Sequence, residues 1–247
     1  MKGNIIYVNE RITMKALRGG QAFGTDSYLL AAYATHTELA AVEFGSGIGV
    51  CSLLLADRCK AKYIYAVEIQ KELHDVGVDN FLSNKMPVDI KPLNKDIREL
   101  DPKDFSMPVG MVIANPPYFK KGSGIQSPIP SKNAARFELN GGISDFADAA
   151  SRILVNGGLF YTVMRPERQK DLDKALIDSG FAPSKRTFVY HKSHFEPAMI
   201  LTEAIKGKTQ QSMLVTKRLV LHYDDESSTE DAKKIYDSCD FGEFLNE

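Results

Sequence analysis

The 247-residue chain predicts an α/β fold: a mostly parallel sheet of seven strands with one antiparallel member and helices on both faces. Three observations carry this expectation. Short apolar runs alternate with segments whose apolar residues recur at spacings of three and four. A glycine-rich turn, "EFGSGIG" (43–49), separates the first strong strand from a helix. Acidic residues fall at successive strand ends, where open α/β sheets bind ligands.

In chain order, "TDSYLLAAYA" (25–34) reads as an amphipathic helix capped by Thr or Asp. Strands follow at "LAAVEF" (39–44), "KYIYAVE" (62–68), "VDIKPL" (88–93), "VGMVIA" (109–114), "GLFYTVM" (158–164) and "RTFVYH" (186–191). Between them lie the helical patterns "VCSLLLADRC", "KELHDVGVDNFLS", "ISDFADAASRIL" and "ERQKDLDKALIDSG". Ser144 with Asp145 suits an N-cap, Pro166 a first helical turn and Gly180 a left-handed stop. "AMILTEAI" (198–205) and "SMLVTKRLVLHY" (212–223) follow with no helical crossover before the former, so the last three strands predict a hairpin at one sheet edge. In the tail, Ser227 with Glu230 resembles a capping box, and Ala232, Ile235 and Tyr236 form an apolar face. A short helix docking on the same domain is expected, giving a main domain over 1–223, with a short N-terminal extension, and a tail over 224–247.

Hydrophobic residues make up 43% and charged residues 26%, and no apolar run approaches the ~20 residues a membrane helix requires. The start, "MKGNIIYVNE", has no charged segment leading into a long apolar one, so a cytoplasmic protein without membrane attachment is expected. Cys51, Cys59 and Cys239 are scattered, and neither C-x-x-C nor H-E-x-x-H occurs, so no metal is expected. The net charge of −1 hides an asymmetry, because the tail holds nine acids and two lysines. The basic body permits nucleic-acid binding without demanding it. No large unexplained apolar face stands out, so a monomer is expected.

The chemistry gathers at the strand ends. Gly45, Ser46, Gly47 and Gly49 form a turn that lets a ligand lie against backbone amides. The nicotinamide fingerprint fails at its third glycine, because position 50 is Val50. Glu68 closes the second strand ahead of Ile69, where a carboxylate can accept both hydroxyls of an adenosyl ribose. Asp96 follows the third strand and can accept from an adenine amino group while Ile97 packs on the ring; a helix cap is its alternative. After the fourth strand comes "ANPPYFKKG" (114–122), a turn that gives up two backbone donors and then presents an aromatic ring.

Together these features resemble the S-adenosylmethionine-dependent class I methyltransferases, whose sheet is Rossmann-like. In that superfamily NPPY marks enzymes that methylate a planar nitrogen conjugated to a ring or carbonyl. The resemblance implies that Asn115 and the Pro116 carbonyl accept the two amino hydrogens, with Pro116 and Pro117 stiffening the turn. Tyr118 would then stack on the base and Phe119 would wall the pocket. No general base is implied, because the methylated nitrogen is briefly cationic and strongly acidic. Upstream, "GGQAFGTDSYLLAAYA" (19–34) is similar to the N-terminal cofactor motif of the tRNA(Val) adenine-37 N6-methyltransferase family. Phe23, Gly24, Thr25 and Asp26 would then border the methionine end of the cofactor, as would Glu43, which stands where many relatives carry Asp. The resemblance spans residues ~10 to 223 and includes "NPPYFKKGSG" and "ARFE" (135–138).

The implied reaction moves a methyl group from S-adenosylmethionine, leaving S-adenosylhomocysteine, to N6 of an adenine in tRNA near the anticodon. The loop 120–140 supplies Lys120, Lys121, Lys132 and Arg136 as phosphate contacts, with Arg165, Arg168 and Lys192 on neighbouring strand ends. A DNA-reading enzyme would need a recognition domain for which there is no room. The alternatives are a protein-glutamine methyltransferase of the release-factor type, which shares NPPY, and a catalytically idle RNA-binding module.

Overall fold

The computed structural model describes residues 4–17, 24–118, 141–207 and 214–245. Among them one sheet contains β3 (Thr37–Phe44), β4 (Ala61–Val67), β5 (Ile90–Leu93), β6 (Val109–Ala114), β7 (Leu154–Met164), β8 (Phe181–Tyr190), β9 (Met199–Lys206) and β10 (Val215–Val220). Their spatial order is β10-β8-β9-β7-β6-β3-β4-β5. β9 runs antiparallel to both neighbours, β7 and β8, and every other pairing is parallel. The expected mixed sheet is therefore present, extended to eight strands. β8 and β9 form the expected hairpin, but the third strand does not continue it. β9 carries the chain back to the end of the sheet where β8 began, and β7 already holds its other edge. β10 therefore rises beside β8 in the same direction.

Strand alternation separates two cores. Ala41, Met111, Ile113, Tyr161 and Val163 face one side, and Val42, Phe44, Val112, Ala114 and Phe160 face the other. The first side is covered by α1 (Thr25–Tyr33), α2 (Val50–Asp57) and α6 (Glu230–Ser238), the second by α4 (Ile143–Ile153) and α5 (Gln169–Asp178). With both faces covered, all six residues of β6 are buried, as an uninterrupted apolar run requires. α3 (Lys71–Ser83) carries a small antiparallel hairpin, β1 (Asn4–Tyr7) and β2 (Thr13–Ala16). The buried Asn80 amide ties it down, accepting from the Lys15 amide at 2.8 Å and donating to the Lys15 and Ile48 carbonyls.

Three caps differ from the sequence reading. Gly142, not Ser144, caps α4, and Asp145 reaches back to its amide at 2.8 Å. Thr229, not Ser227, caps α6 through the Ala232 amide, while Ser227 closes a turn on Asp225. Gly24, not Thr25 or Asp26, caps α1, and without a side chain it makes no capping bond of its own. Gly180, at φ +79°, stops α5 as expected. α6 lies against α1, where the Tyr28 hydroxyl donates to the Tyr236 carbonyl at 2.7 Å. Phe241 is buried beyond it, edge-on to Tyr33. Among the described residues no helix is long and apolar enough to cross a membrane.

Candidate active site

β3 lies between β6 and β4, so the order of strands reverses there and a crevice opens above their carboxyl ends. The chain leaves β3 through Gly45, Gly47 and Gly49, all left-handed at φ +65°, +56° and +94°. A side chain is excluded at Gly49 because a Cβ would stand 2.3 Å from the Phe81 ring. At Gly47 a Cβ would meet nothing within 4 Å, since that face is open to the crevice. Glu68, at the end of β4, holds the turn by accepting from the Gly47 and Gln70 amides, each at 2.8 Å. Burial pushes its carboxyl above the usual range against these bonds.

One open-mouthed cavity of about 130 Å³ is lined by Gly45, Gly47, Glu68, Ile69, Asp96, Ile97, Asn115 and Pro117. The structure thus brings together eight of the residues named from the sequence. Asp96 takes the capping role weighed for it. It caps the short turn Ile97–Glu99 through the Arg98 amide and also lines the cavity, while pairing with the Arg98 side chain lowers its acidity range.

Other named residues stand elsewhere. Glu43 is not in the cavity wall: it is buried beneath the turn, where one carboxylate oxygen accepts from the Ser52 amide at 2.8 Å and the Ser52 hydroxyl at 2.5 Å. Burial pushes its carboxyl up to about 7. Ser46 is also buried, tying the turn to β4 through the Val67 carbonyl. Gly24 and Thr25 are exposed at the start of α1, outside the cavity lining. Lys192 is engaged by Glu226 and the Asp224 carbonyl on the far edge of the sheet, where the acidic turn after β10 folds over it. Phe23, Phe119, Lys120, Lys121, Lys132 and Arg136 lie outside the described residues.

The turn after β6 is held from α1. The Asn115 side-chain nitrogen donates to the Asp26 carboxylate and to the Ser27 hydroxyl, both at 3.2 Å. The Tyr118 hydroxyl donates to the same Asp26 oxygen at 2.6 Å. Burial and that carboxylate push the phenol far above its usual range. Arg165 stands 5.9 Å from the Tyr118 ring centre, and Arg168 donates to the Tyr118 carbonyl at 3.2 Å. Pro116 is buried and Pro117 faces the cavity.

Gln70, Leu73, Lys95, Gly141 and Phe146 also line the cavity and were not anticipated. Lys95 adjoins Asp96 in sequence, which is a signal of sorts. Phe146 comes from α4, and nothing local marks it. Lys95 is itself steadied by Asp104 at 2.7 and 2.9 Å. Among the described residues no group of three or more His, Cys, Asp or Glu is placed to hold a metal ion.

No protein-family model matches the chain. It is 30% identical over 208 residues to a tRNA1(Val) (adenine(37)-N6)-methyltransferase of Bacteroides fragilis, covering 82% of this chain and 86% of the relative. A protein of the same name from Phocaeicola vulgatus is 27% identical over 199 residues, covering 80% and 82%. Among solved structures, a predicted O-methyltransferase from Agrobacterium tumefaciens superposes with a TM-score of 0.67 at 21% identity, covering 87% of this chain and 97% of its own. M. jannaschii TYW2 in complex with AdoMet gives 0.55 at 15% identity, covering 83% and 87%. The two structures establish the Rossmann-like methyltransferase fold.

Proposed function

Because the chain belongs to the tRNA1(Val) (adenine(37)-N6)-methyltransferase family, we propose that it methylates N6 of an adenine in tRNA, using S-adenosylmethionine held in the cavity described above. The observation that carries this reading is that Asn115 and Pro117 line the same cavity as Gly45, Gly47 and Glu68. A planar amine seated at Asn115 is thereby beside the place where a methyl donor is held.

The donor set fits the cofactor. Gly47 leaves open the space a Cβ would enter, which lets a ligand approach the backbone. Glu68 offers a carboxylate to a ribose diol, and Ile69, Ile97 and Phe146 offer apolar walls to a purine whose amino group meets Asp96. When bound, the cofactor supplies an electrophilic sulfonium methyl.

The protein's own task is to prepare a poor nucleophile. The lone pair of an exocyclic adenine nitrogen is delocalised into the ring. Acceptance of its two hydrogens by the Asn115 side-chain oxygen and the Pro116 carbonyl favours the pyramidal, increasingly positive nitrogen of the transition state. Pro116 restricts Asn115 to extended backbone, so the acceptors are in place beforehand. The cationic product amine loses its proton to water.

The test is transfer of label from S-adenosylmethionine to total tRNA, with digestion to nucleosides. Label in N6-methyladenosine is the expected result, and Asn115→Ala should abolish it while leaving cofactor affinity within a few-fold. Label appearing instead in release-factor protein, or an active Asn115→Ala variant, contradicts the assignment.

A further inference from the structure

We propose that Asp26 is a positioning residue, which sets the orientation of the Asn115 amide and anchors the Tyr118 ring, rather than a ligand of the cofactor's methionine end. The inference rests on the functional reading above and assigns a part of the same site.

A primary amide has two donor hydrogens on one side and an acceptor oxygen on the other, and only one of its two flipped states presents the oxygen to substrate. In the structure both hydrogens of Asn115 are engaged, one by the Asp26 carboxylate and one by the Ser27 hydroxyl. Turning the amide over would place its oxygen against a carboxylate that cannot donate. The negative charge of Asp26 therefore selects the state in which the Asn115 oxygen is the free pole. That same carboxylate oxygen takes the Tyr118 hydroxyl at 2.6 Å, so one atom fixes both the acceptor and the aromatic ring of the motif. Its other oxygen accepts from the Ser27 amide at 2.8 Å, in the first turn of α1, where helix geometry and dipole favour an anion. Asp26 itself is absent from the wall that Gly45, Gly47 and Glu68 share.

The isosteric Asp26→Asn variant removes the selection, because its own amide can donate to the Asn115 oxygen and so tolerates the flipped state. Turnover at saturating substrates should fall about ten- to a hundredfold, the range expected when a charge-assisted positioning bond is lost. Affinity for S-adenosylmethionine, measured without RNA, should stay within about twofold. If Asp26 instead binds the cofactor, affinity drops while turnover recovers at high cofactor concentration, and the proposal is wrong. Tyr118→Phe removes one of the two groups that Asp26 holds. Combining it with Asp26→Asn should cost no more turnover than Asp26→Asn alone; independent, multiplying losses overturn the proposal. A readout free of catalysis is hydrogen exchange of the Asn115 side-chain amide, assigned by its disappearance in Asn115→Ala. Exchange should quicken at least about tenfold in Asp26→Asn, and an unchanged rate refutes the inference even if the wild-type protein methylates no RNA. Absence of N6-methyladenosine from wild-type reactions defeats the functional reading separately.

Discussion

Raising the pH through neutrality should destabilise the protein through Glu43, and Glu43→Gln should abolish that part of the dependence. The carboxyl is buried beneath the glycine turn, and burial lifts its pKa from 4.5 to about 7 despite two hydrogen bonds from Ser52. An unfolded chain gives up this proton near pH 4.5, whereas the folded chain keeps it to about pH 7. Between those values the folded state binds more protons, so its stability declines as pH rises. A gap from 4.5 to about 7 corresponds to ~3 kcal/mol, present in full below the lower value and gone above the upper one. Glutamine still offers an oxygen to Ser52 and cannot titrate. Urea unfolding of both proteins at half-unit steps between about pH 4.5 and 8 isolates the effect, because groups that do not interact with Glu43 cancel in the difference. The variant should gain ~3 kcal/mol relative to wild type across that range. A difference that stays constant with pH refutes the reasoning.

Three glycine substitutions separate stability from function. Gly49→Ala should lower stability by more than about 2 kcal/mol in thermal melts, since the new methyl collides with Phe81 on top of the left-handed backbone. Gly47→Ala should cost only ~1 kcal/mol of strain yet weaken S-adenosylmethionine binding at least about tenfold by calorimetry, because its methyl enters open cavity. Gly24 is extended at φ −104°, so alanine is allowed there, but its Cβ would stand 2.6 Å from an Asp26 oxygen. Gly24→Ala should therefore reduce turnover about as Asp26→Asn does, with the melting temperature within a few degrees of wild type; unaltered turnover would show that the Asp26 carboxylate need not stay where it lies.

What the sequence displayed and what it hid divide along physical lines. Unbroken apolar runs such as "VGMVIA" identified strands covered on both faces, and the strand ends located the cavity residues, because both signals are local. Helix caps were misplaced by one or two positions, since Ser144 and Ser227 satisfy the composition rule as well as Gly142 and Thr229 do. Pairing of β10 with β8 is a matter of which edge remains open, and no local pattern encodes that. Glu43 was read as a ligand group because a carboxylate before a glycine turn resembles one. Its burial depends on the first turn of α2 packing over it and offering the Ser52 amide and hydroxyl, which is a tertiary fact.

The pairing of Asp26 with Asn115 joins residues 89 apart, yet topology makes it a natural outcome. α1 precedes β3 and packs on the first face of the sheet, where Tyr33 meets Tyr161 of β7 edge-on. β6 lies between β3 and β7, so the helix is laid beside the strand that ends in NPPY. The Asp26 bonds place the first turn of α1 at the carboxyl end of that strand. Gly24 takes the cap position, and Asp26 divides its carboxylate: one oxygen accepts from the Ser27 amide in the first turn, and the other is left to hold Asn115. The FGTD segment is thus legible in physical terms: a side-chain-free cap is followed two residues later by a carboxylate free to reach across to the neighbouring strand end. On this account the two motifs most distant in sequence form one hydrogen-bonded unit. The glycine bend and Glu68, which are nearer to each other, form a second unit that lines the same cavity as Asn115.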